Sequence, residues 1–372
     1  MNQERGGYLI AGGGTGGHVF PALALAGEIR RRRPEAPIVF VGTRQGLEND
    51  LVPKAGYPLA YVRAKGLVGK GLGARLAGAA TLPLAFFDSL RLLARHDPRA
   101  VVGVGGYASG PLVATAWARR VPTVIHESNA VPGLTNRLLA RIATRVVVGS
   151  EAAASRLRDA IVVGNPVRPE FFGIPSLVGR PKERRRHVLI VGGSQGAQIL
   201  NRLVPAALAH VMEKGLLLDV VHQAGKAKRG LGFDAEDLRK TYAAMGLPPA
   251  SVHEFLDDIP AAYAGADLVV SRSGAMTVAE IAAAGRPALL VPFARATHGH
   301  QEANARALEA AGAAFVVTEA EATAEHLADA IAALLSDPLR LLAMGDAARR
   351  AARPDAAARL CDVIFGAEKR RN

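Results

Sequence analysis

The sequence predicts a doubly wound α/β fold in two similar halves. Three observations carry this. Short apolar runs such as Tyr8–Ala11 and His187–Val191 read as buried strands. Several of them lead into a glycine cluster and then a helical pattern, the strand–turn–helix order of parallel sheets. The same order restarts after an irregular basic stretch near the middle of the chain. With 372 residues the chain exceeds what one core usually holds, which agrees with two domains.

The elements follow in order. Tyr8–Ala11 is a strand, Gly12-Gly-Gly-Thr-Gly-Gly-His18 a glycine turn, and Val19–Arg32 a helix with Pro21 near its start. Ile38–Val41 is the second strand. Between Gly66 and Arg95 apolar residues recur at helical spacing: Leu72, Leu76, Ala79, Pro83, Phe86, Phe87, Leu90 and Leu93, with Arg75, Arg91 and Arg95 among them. This is either a helix packed on the sheet or an apolar patch rimmed by cations that docks on an anionic membrane surface. Ala100–Val104 is a strand, Gly105–Pro111 a second glycine loop, and a helix follows. Ala100–Ala118 is 19 uncharged residues long, but its glycines and Pro111 read as strand, loop and helix rather than a membrane span. Thr123–Asn129, Arg145–Gly149 and Ile161–Gly164 complete the first half. Residues 171–187, with Pro175, Pro181 and Lys182-Glu-Arg-Arg-Arg186, read as a linker.

In the second half His187–Val191 leads into a third glycine loop, Gly192–Ala197, and a helix over Gln198–Glu213. Leu217–His222 is a strand, and Val252–Leu256 leads to Asp257-Asp258, a helix cap. Ala266–Val270 is a strand that runs through Ser271-Arg-Ser-Gly274 into a helix ended by Gly285. Ala288–Pro292 and a polar loop to Gln301 follow. Helices close the chain, one starting near Pro338 and, after Pro354, a last one ending near Gly366. The domains are therefore expected at 1–170 and 188–350, with 351–372 a terminal helix that returns to the first domain.

Composition narrows the function. Cys361 is the single cysteine, which excludes an internal disulfide and a cysteine-based zinc site. The net charge of +13 favours anionic partners: phosphorylated ligands, acidic headgroups or nucleic acid. The N-terminus has no signal-peptide pattern. Gly12, Gly14 and Gly17 match the dinucleotide motif formally, but the second strand ends Val41-Gly-Thr-Arg44 without the acid a nicotinamide ribose needs. No Walker lysine motif and no Asp-x-Asp pair appears. What remains is three turns whose small residues let backbone amides approach phosphate at helix starts. Glu280, one turn into its helix, is an acceptor for two sugar hydroxyls. His18, at the lip of the first turn, is a general base or a packing residue. His126, Glu127 and Asn129 end a strand where a ligand crevice is expected. Two anion sites in two similar halves suit group transfer between two phosphorylated molecules across a shared cleft.

Seven segments carry a more specific resemblance: Gly12–His18, Gly103–Pro111, His126–Asn129, Gly164–Arg168, Gly192–Ala197, Glu254–Asp258 and Ser271–Ala275. In this order the chain resembles glycosyltransferase family 28, the UDP-N-acetylglucosamine transferases that complete the lipid-linked peptidoglycan precursor. The resemblance implies a GT-B fold, two Rossmann-like domains facing a cleft, with the acceptor in the first and the donor in the second. It implies inverting transfer without metal or cofactor. The family's donor contacts fall on Thr15, Gly16, Gly17, Asn129, Arg168, Ser194, Leu256, Ala275, Met276, Thr277, Val278, Ala279, Glu280 and Gln301. The acceptor diphosphate falls to Gly13, Gly14, Gly105, Gly106, Tyr107 and Ser109, and the base to His18 or Glu127. The implied partners are UDP-N-acetylglucosamine, the lipid-linked acceptor and an anionic membrane surface, with no nucleic acid. The implied location is the cytoplasmic face of the inner membrane, contacted through Leu72, Arg75, Leu76, Phe86, Phe87 and Arg91. A UDP-sugar epimerase or glycolipid glucosyltransferase on the same fold, and a basic non-enzymatic binder, are the alternatives.

Overall fold

The computed structural model describes residues 6–64, 81–180, 185–193, 196–225, 234–247, 252–296 and 299–369. The chain divides into two compact units, Met1–Arg168 with Arg353–Asn372, and Pro169–Ala352. The first unit runs β1 (Tyr8–Gly12), α1 (Gly16–Arg32), β2 (Ile38–Gly42), α2 (Glu48–Lys54), β3 (Leu59–Tyr61), α3 (Leu82–His96), β4 (Ala100–Gly105), α4 (Ser109–Ala118), β5 (Thr123–Glu127), α5 (Leu134–Leu139), β6 (Arg145–Val148), α6 (Glu151–Ala154) and β7 (Ala160–Val162). Its seven strands are parallel in the order β3-β2-β1-β4-β5-β6-β7. The order reverses between β1 and β4, and ligands of doubly wound sheets bind at the carboxyl ends of such a pair.

Burial follows the pattern of the chain. β1 and β4 are buried along their whole length, as central parallel strands are. In α1 the buried residues Val19, Ala22, Leu25, Ala26 and Ile29 make one apolar stripe. That helix begins three residues before the expected Val19, because the Thr15 carbonyl takes the amides of His18 and Val19 at 3.1 and 3.2 Å. Pro21 is therefore inside the helix. α4 likewise begins at Ser109, where a loop was expected, since Pro111 is tolerated in a first turn.

The second unit runs β8 (Arg186–Val191), α7 (Gln198–Glu213), β9 (Leu218–Gln223), α8 (Ala235–Ala244), β10 (Val252–His253), α9 (Ile259–Gly265), β11 (Leu268–Ser271), α10 (Ala275–Ala284), β12 (Ala288–Leu290), α11 (His300–Ala310), β13 (Ala314–Val316), α12 (Ala324–Leu335) and α13 (Pro338–Ala351). Six parallel strands lie in the order β10-β9-β8-β11-β12-β13, with the reversal between β8 and β11. α14 (Ala356–Glu368) belongs to the first unit. It buries Leu360, Cys361 and Ile364 there, and Glu368 takes the Tyr8 hydroxyl at 2.7 Å and pairs with Arg33 at 2.8 Å.

Most of the expected linker is not a tether. Ile174 and Leu177 are buried in the second unit, and Arg180 pairs with Asp267 at 2.6 Å. The wholly buried Arg286 donates to the carbonyls of Tyr263 at 2.7 Å and Pro175 at 3.0 Å. Residues 181–184 lie outside the described residues.

A polar network lies in the second core around His222. Asn201 Nδ2 donates to Ala224 O at 3.1 Å, so its Oδ1 is an acceptor for His222 Nε2–H at 3.2 Å. His222 Nδ1 then accepts the Tyr242 hydroxyl at 2.8 Å. Burial pushes His222 down to about 3. The unfolded imidazole protonates near pH 6.5. The stabilisation is therefore complete above that pH and lost as pH falls toward 3, at about 1.4 kcal/mol per pH unit. Thermal melts between pH 7 and 4.5 should show this decline, and His222→Asn should flatten it. An unchanged slope in that variant would refute the assignment.

Candidate functional site

In the first unit the expected residues gather at the carboxyl ends of β1, β4 and β5. No side chain caps the start of α1 at Thr15, which is exposed. His18 is half-buried in the first turn of that helix and its Nδ1 lies 3.1 Å from Gly13 O. A carbonyl only accepts, so Nδ1 carries the proton and Nε2 the lone pair. Burial lowers His18 from its ordinary value, while the Gly13 carbonyl and the Glu127 and Glu48 carboxylates act in the opposite sense. The result is a neutral imidazole near pH 7, the form a general base needs.

The second glycine turn packs directly on the first. Gly105 and Gly106 have φ of +112° and +84°. A Cβ on Gly105 would come within 2.6 Å of His18 Nε2, and one on Gly106 within 2.5 Å of Gly13 O. Side chains are excluded by the His18 ring at Gly105 and by the Gly13 backbone at Gly106.

Three expected contacts take different parts. The Gly14 amide donates to Glu48 Oε2 at 2.7 Å, so it is already committed within the chain. The Ser109 hydroxyl is buried and turned inward, donating toward Gly105 O at 2.7 Å and Ala11 O at 2.9 Å. Glu127 is buried with four donors on its carboxylate. Oε1 accepts the amide and Nδ2 of Asn129 at 2.9 and 3.0 Å, and Oε2 accepts the Gly133 amide at 3.0 Å and Asn136 Nδ2 at 2.9 Å. It organises residues 129–136. His126 is buried and donates from Nε2 to Gly164 O at 3.0 Å, pinning the end of β5. Tyr107 is exposed, and the Arg168 guanidinium lies 4.8 Å from the centre of the Phe20 ring.

In the second unit the gathering is at the carboxyl ends of β8 to β12. α10 starts at Gly274 with no side-chain cap and ends at Gly285 in the left-handed conformation. The helix start lies at the carboxyl end of β11, at the β8/β11 switch point, where the helix dipole favours an anion. Ala275–Ala279 form the first turns, and Glu280 is half-buried on the second. Leu256 follows β10 on the same edge. Ser194 lies outside the described residues, but Gly196 beside it has φ +70° and approaches Ala224 O, which a Cβ would meet at 2.4 Å.

The polar loop before α11 is tied to this turn. The Ser273 hydroxyl donates to Gln301 O at 2.7 Å, and Asn304 Nδ2 to Ser273 O at 3.1 Å. Gln301 Oε1 accepts the Phe293 amide at 3.0 Å. Arg272 donates to Val291 O at 3.0 Å and Pro292 O at 3.1 Å and pairs with Glu319. Sequence reading passed over Asn304 and Glu319. Asn304 stands three residues after Gln301, a helical spacing that signals a shared site; Glu319 offers no local signal.

Two parallel doubly wound units, each with glycine turns at its switch point, are the architecture of the GT-B glycosyltransferases. Two models match the chain, the glycosyltransferase family 28 N-terminal domain over residues 8–148 and the C-terminal domain over residues 187–360. The chain belongs to glycosyltransferase family 28. It is 45% identical to the UDP-N-acetylglucosamine--N-acetylmuramyl-(pentapeptide) pyrophosphoryl-undecaprenol N-acetylglucosamine transferase of Anaeromyxobacter sp. (strain K), over 98% of this chain and 93% of that protein. The protein of the same name from Myxococcus xanthus is 46% identical over 95% of this chain and 91% of its own length. The crystal structure of Acinetobacter baumannii MurG is similar with a TM-score of 0.77, at 31% identity, over 97% of this chain and 99% of that one.

Proposed function

We propose that this glycosyltransferase moves N-acetylglucosamine from UDP-N-acetylglucosamine to the 4-hydroxyl of the muramoyl residue on undecaprenyl-diphospho-muramoyl-pentapeptide. The uncapped start of α10 with Glu280 on its second turn carries the reading, because it offers a diphosphate and a ribose their partners on one rigid element. The relatives' names supply the sugar and the acceptor. The acceptor belongs to the first unit, at Gly13, Gly105, Gly106 and Tyr107. His18 Nε2 takes the 4-hydroxyl proton as that oxygen attacks the anomeric carbon from the face opposite the UDP. The carbon–oxygen bond to UDP breaks, the configuration inverts, and the charge left on UDP is met by the amides of α10. Thr15, Gly16, Gly17, Asn129, Arg168, Ser194, Leu256 and Gln301 complete the donor contacts.

The test mixes the protein with labelled donor and a short-chain acceptor in the presence of chelator. Product is expected. No product, or product only with added Mg²⁺, counts against the reading, and epimerised donor without acceptor selects an epimerase. Glu280→Ala should raise KM for the donor by about 10- to 100-fold, the loss of roughly 1.5–3 kcal/mol from charge-assisted hydrogen bonds. A KM within about twofold of wild type would remove Glu280 from the donor site.

Peripheral docking on the inner leaflet at the cytoplasmic face is part of the proposal. No helix among the described residues is long and apolar enough to cross a membrane. Phe86, Phe87 and Leu90 on α3, Trp117 on α4, and Leu134 and Leu138 on α5 are exposed, and these helices bury their other sides in one core beneath the same face of the sheet. Arg91 stacks on Phe87 at 5.7 Å. On that side Arg137, Arg141, Arg145, Arg156 and Arg158 line a cavity of about 690 Å³ with Asp159 as the one acid. Leu72, Arg75 and Leu76 lie outside the described residues. Binding to vesicles containing anionic lipid should weaken with salt and fall at least about tenfold in Phe86→Ser/Phe87→Ser, the loss of two buried apolar side chains. Equal binding to neutral vesicles would count against it.

A further inference from the structure

The first glycine turn is built around an acid that neither the motif nor the family reading requires. Glu48, the first residue of α2, is fully buried. Its Oε2 accepts the Gly14 amide at 2.7 Å and its Oε1 the Thr43 amide at 3.1 Å. A Cβ at Gly13, Gly42 or Gly46 would come within 2.5, 2.7 or 2.2 Å of a Glu48 atom. Three glycines from two loops thus make room for one carboxyl group. A residue placed only to fill space would not need two amide donors and three missing side chains.

The Gly14 N–H and the Gly13 C=O are the two ends of one peptide group. The first donates to Glu48 and the second accepts from His18 Nδ1 at 3.1 Å. Hydrogen bonds in such a chain polarise one another, so a carboxylate on the N–H end makes the carbonyl end a stronger acceptor. We propose that Glu48 is a positioning residue for His18: carboxylate, Gly13–Gly14 peptide and imidazole form one relay that holds the proton on Nδ1 and keeps Nε2 open. A carboxylate performs this task directly on the histidine of other hydrolytic and transfer sites; here a peptide group is interposed. The proposal rests on His18 being the base, but its first test does not.

The charged groups facing the imidazole are Glu48 from α2 and Glu127 from the end of β5, and both favour its protonated form. In the β4–α4 turn Gly105 approaches the ring, where a Cβ would come within 2.4 Å of His18 Cδ2. Removing the Glu48 charge therefore lowers the basicity of His18, and the acid limb of the rate profile moves to lower pH.

Nitrogen-15 NMR of the imidazole in the full chain, without substrate, reads the relay directly. Wild type should show Nδ1 protonated and Nε2 not. Glu48→Gln, and Glu48→Asp with its shorter reach, should shift the tautomer balance toward Nε2–H. In the transfer assay kcat should fall roughly 10- to 100-fold, the scale for groups that orient a reacting residue, with KM for UDP-N-acetylglucosamine within about twofold. In Glu48→Gln the acid limb should also move down. A wild-type His18 protonated on Nε2 overturns the proposal even if neither variant folds. So does a variant whose lower melting temperature comes with an unchanged tautomer and unchanged kcat per folded molecule. A shifted tautomer with unchanged kcat supports the relay and instead removes His18 from the role of base.

Discussion

His18→Ala is expected to lower kcat for glycosyl transfer by about 10²- to 10⁴-fold, the usual worth of a positioned general base. UDP affinity should stay within about twofold, because the proposed partners of its diphosphate and ribose, the first turns of α10 and Glu280, lie in the other unit. The reason is geometric. Among the described residues, His18 is the one titratable side chain at the β1/β4 switch point whose acceptor nitrogen is identified by a bond made at the opposite nitrogen. Since its basicity is lowered by burial, the acid limb of kcat/KM should fall below the value of a free imidazole near 6.5. Steady-state kinetics with a short-chain acceptor between pH 5 and 9 measure both. A variant that keeps more than about a tenth of wild-type kcat excludes His18 as the base.

The second large effect is on stability. Glu127→Ala strands four donors, the amides of Asn129 and Gly133 and the side-chain amides of Asn129 and Asn136. Unmet buried donors cost about 1–3 kcal/mol each where they cannot reach water. With partial access to solvent the expected total is about 3 kcal/mol, which lowers the melting temperature by roughly 6–12 °C in a unit of this size. Glu127→Gln tests the role rather than the fold. If Glu127 organises the loop, the acid limb that reports His18 persists in this variant after correction for the folded fraction. If that limb disappears, Glu127 is the group that titrates, and the assignment of the base reverses.

The parts of the molecule that were readable from residues alone are those with local signals. The β1, β4, β8 and β11 strands announce themselves as apolar runs that lead into glycine-containing turns, because a central parallel strand is buried on both faces. Gly285 ends α10 as expected, since a left-handed residue closes many helices. Asp258 caps its helix by accepting the amide of Ala261 at 3.1 Å, and α13 starts at Pro338 as expected. Short elements were missed: β3, α2, α6 and β13 have three to seven residues each, too few for periodicity to register. The stretch 172–180 was misread as a linker because Pro175 and Gly179 break its pattern, while what holds it is the distant Arg286 and Asp267.

From the sequence alone came the two-domain α/β architecture, the glycine turns, the family and nearly every position of the candidate site. Each depends on neighbours in the chain, on backbone freedom at glycine, or on a spacing that survives without folding. Only the tertiary structure decided which of those residues are available. Ser109 is spent on the protein's own backbone, Glu127 on backbone and asparagine amides, Gly14 is engaged by Glu48, and His18 holds its proton on Nδ1. The partner of a buried polar group is chosen by whichever strand ends the sheet brings together, and that choice is written in no local pattern.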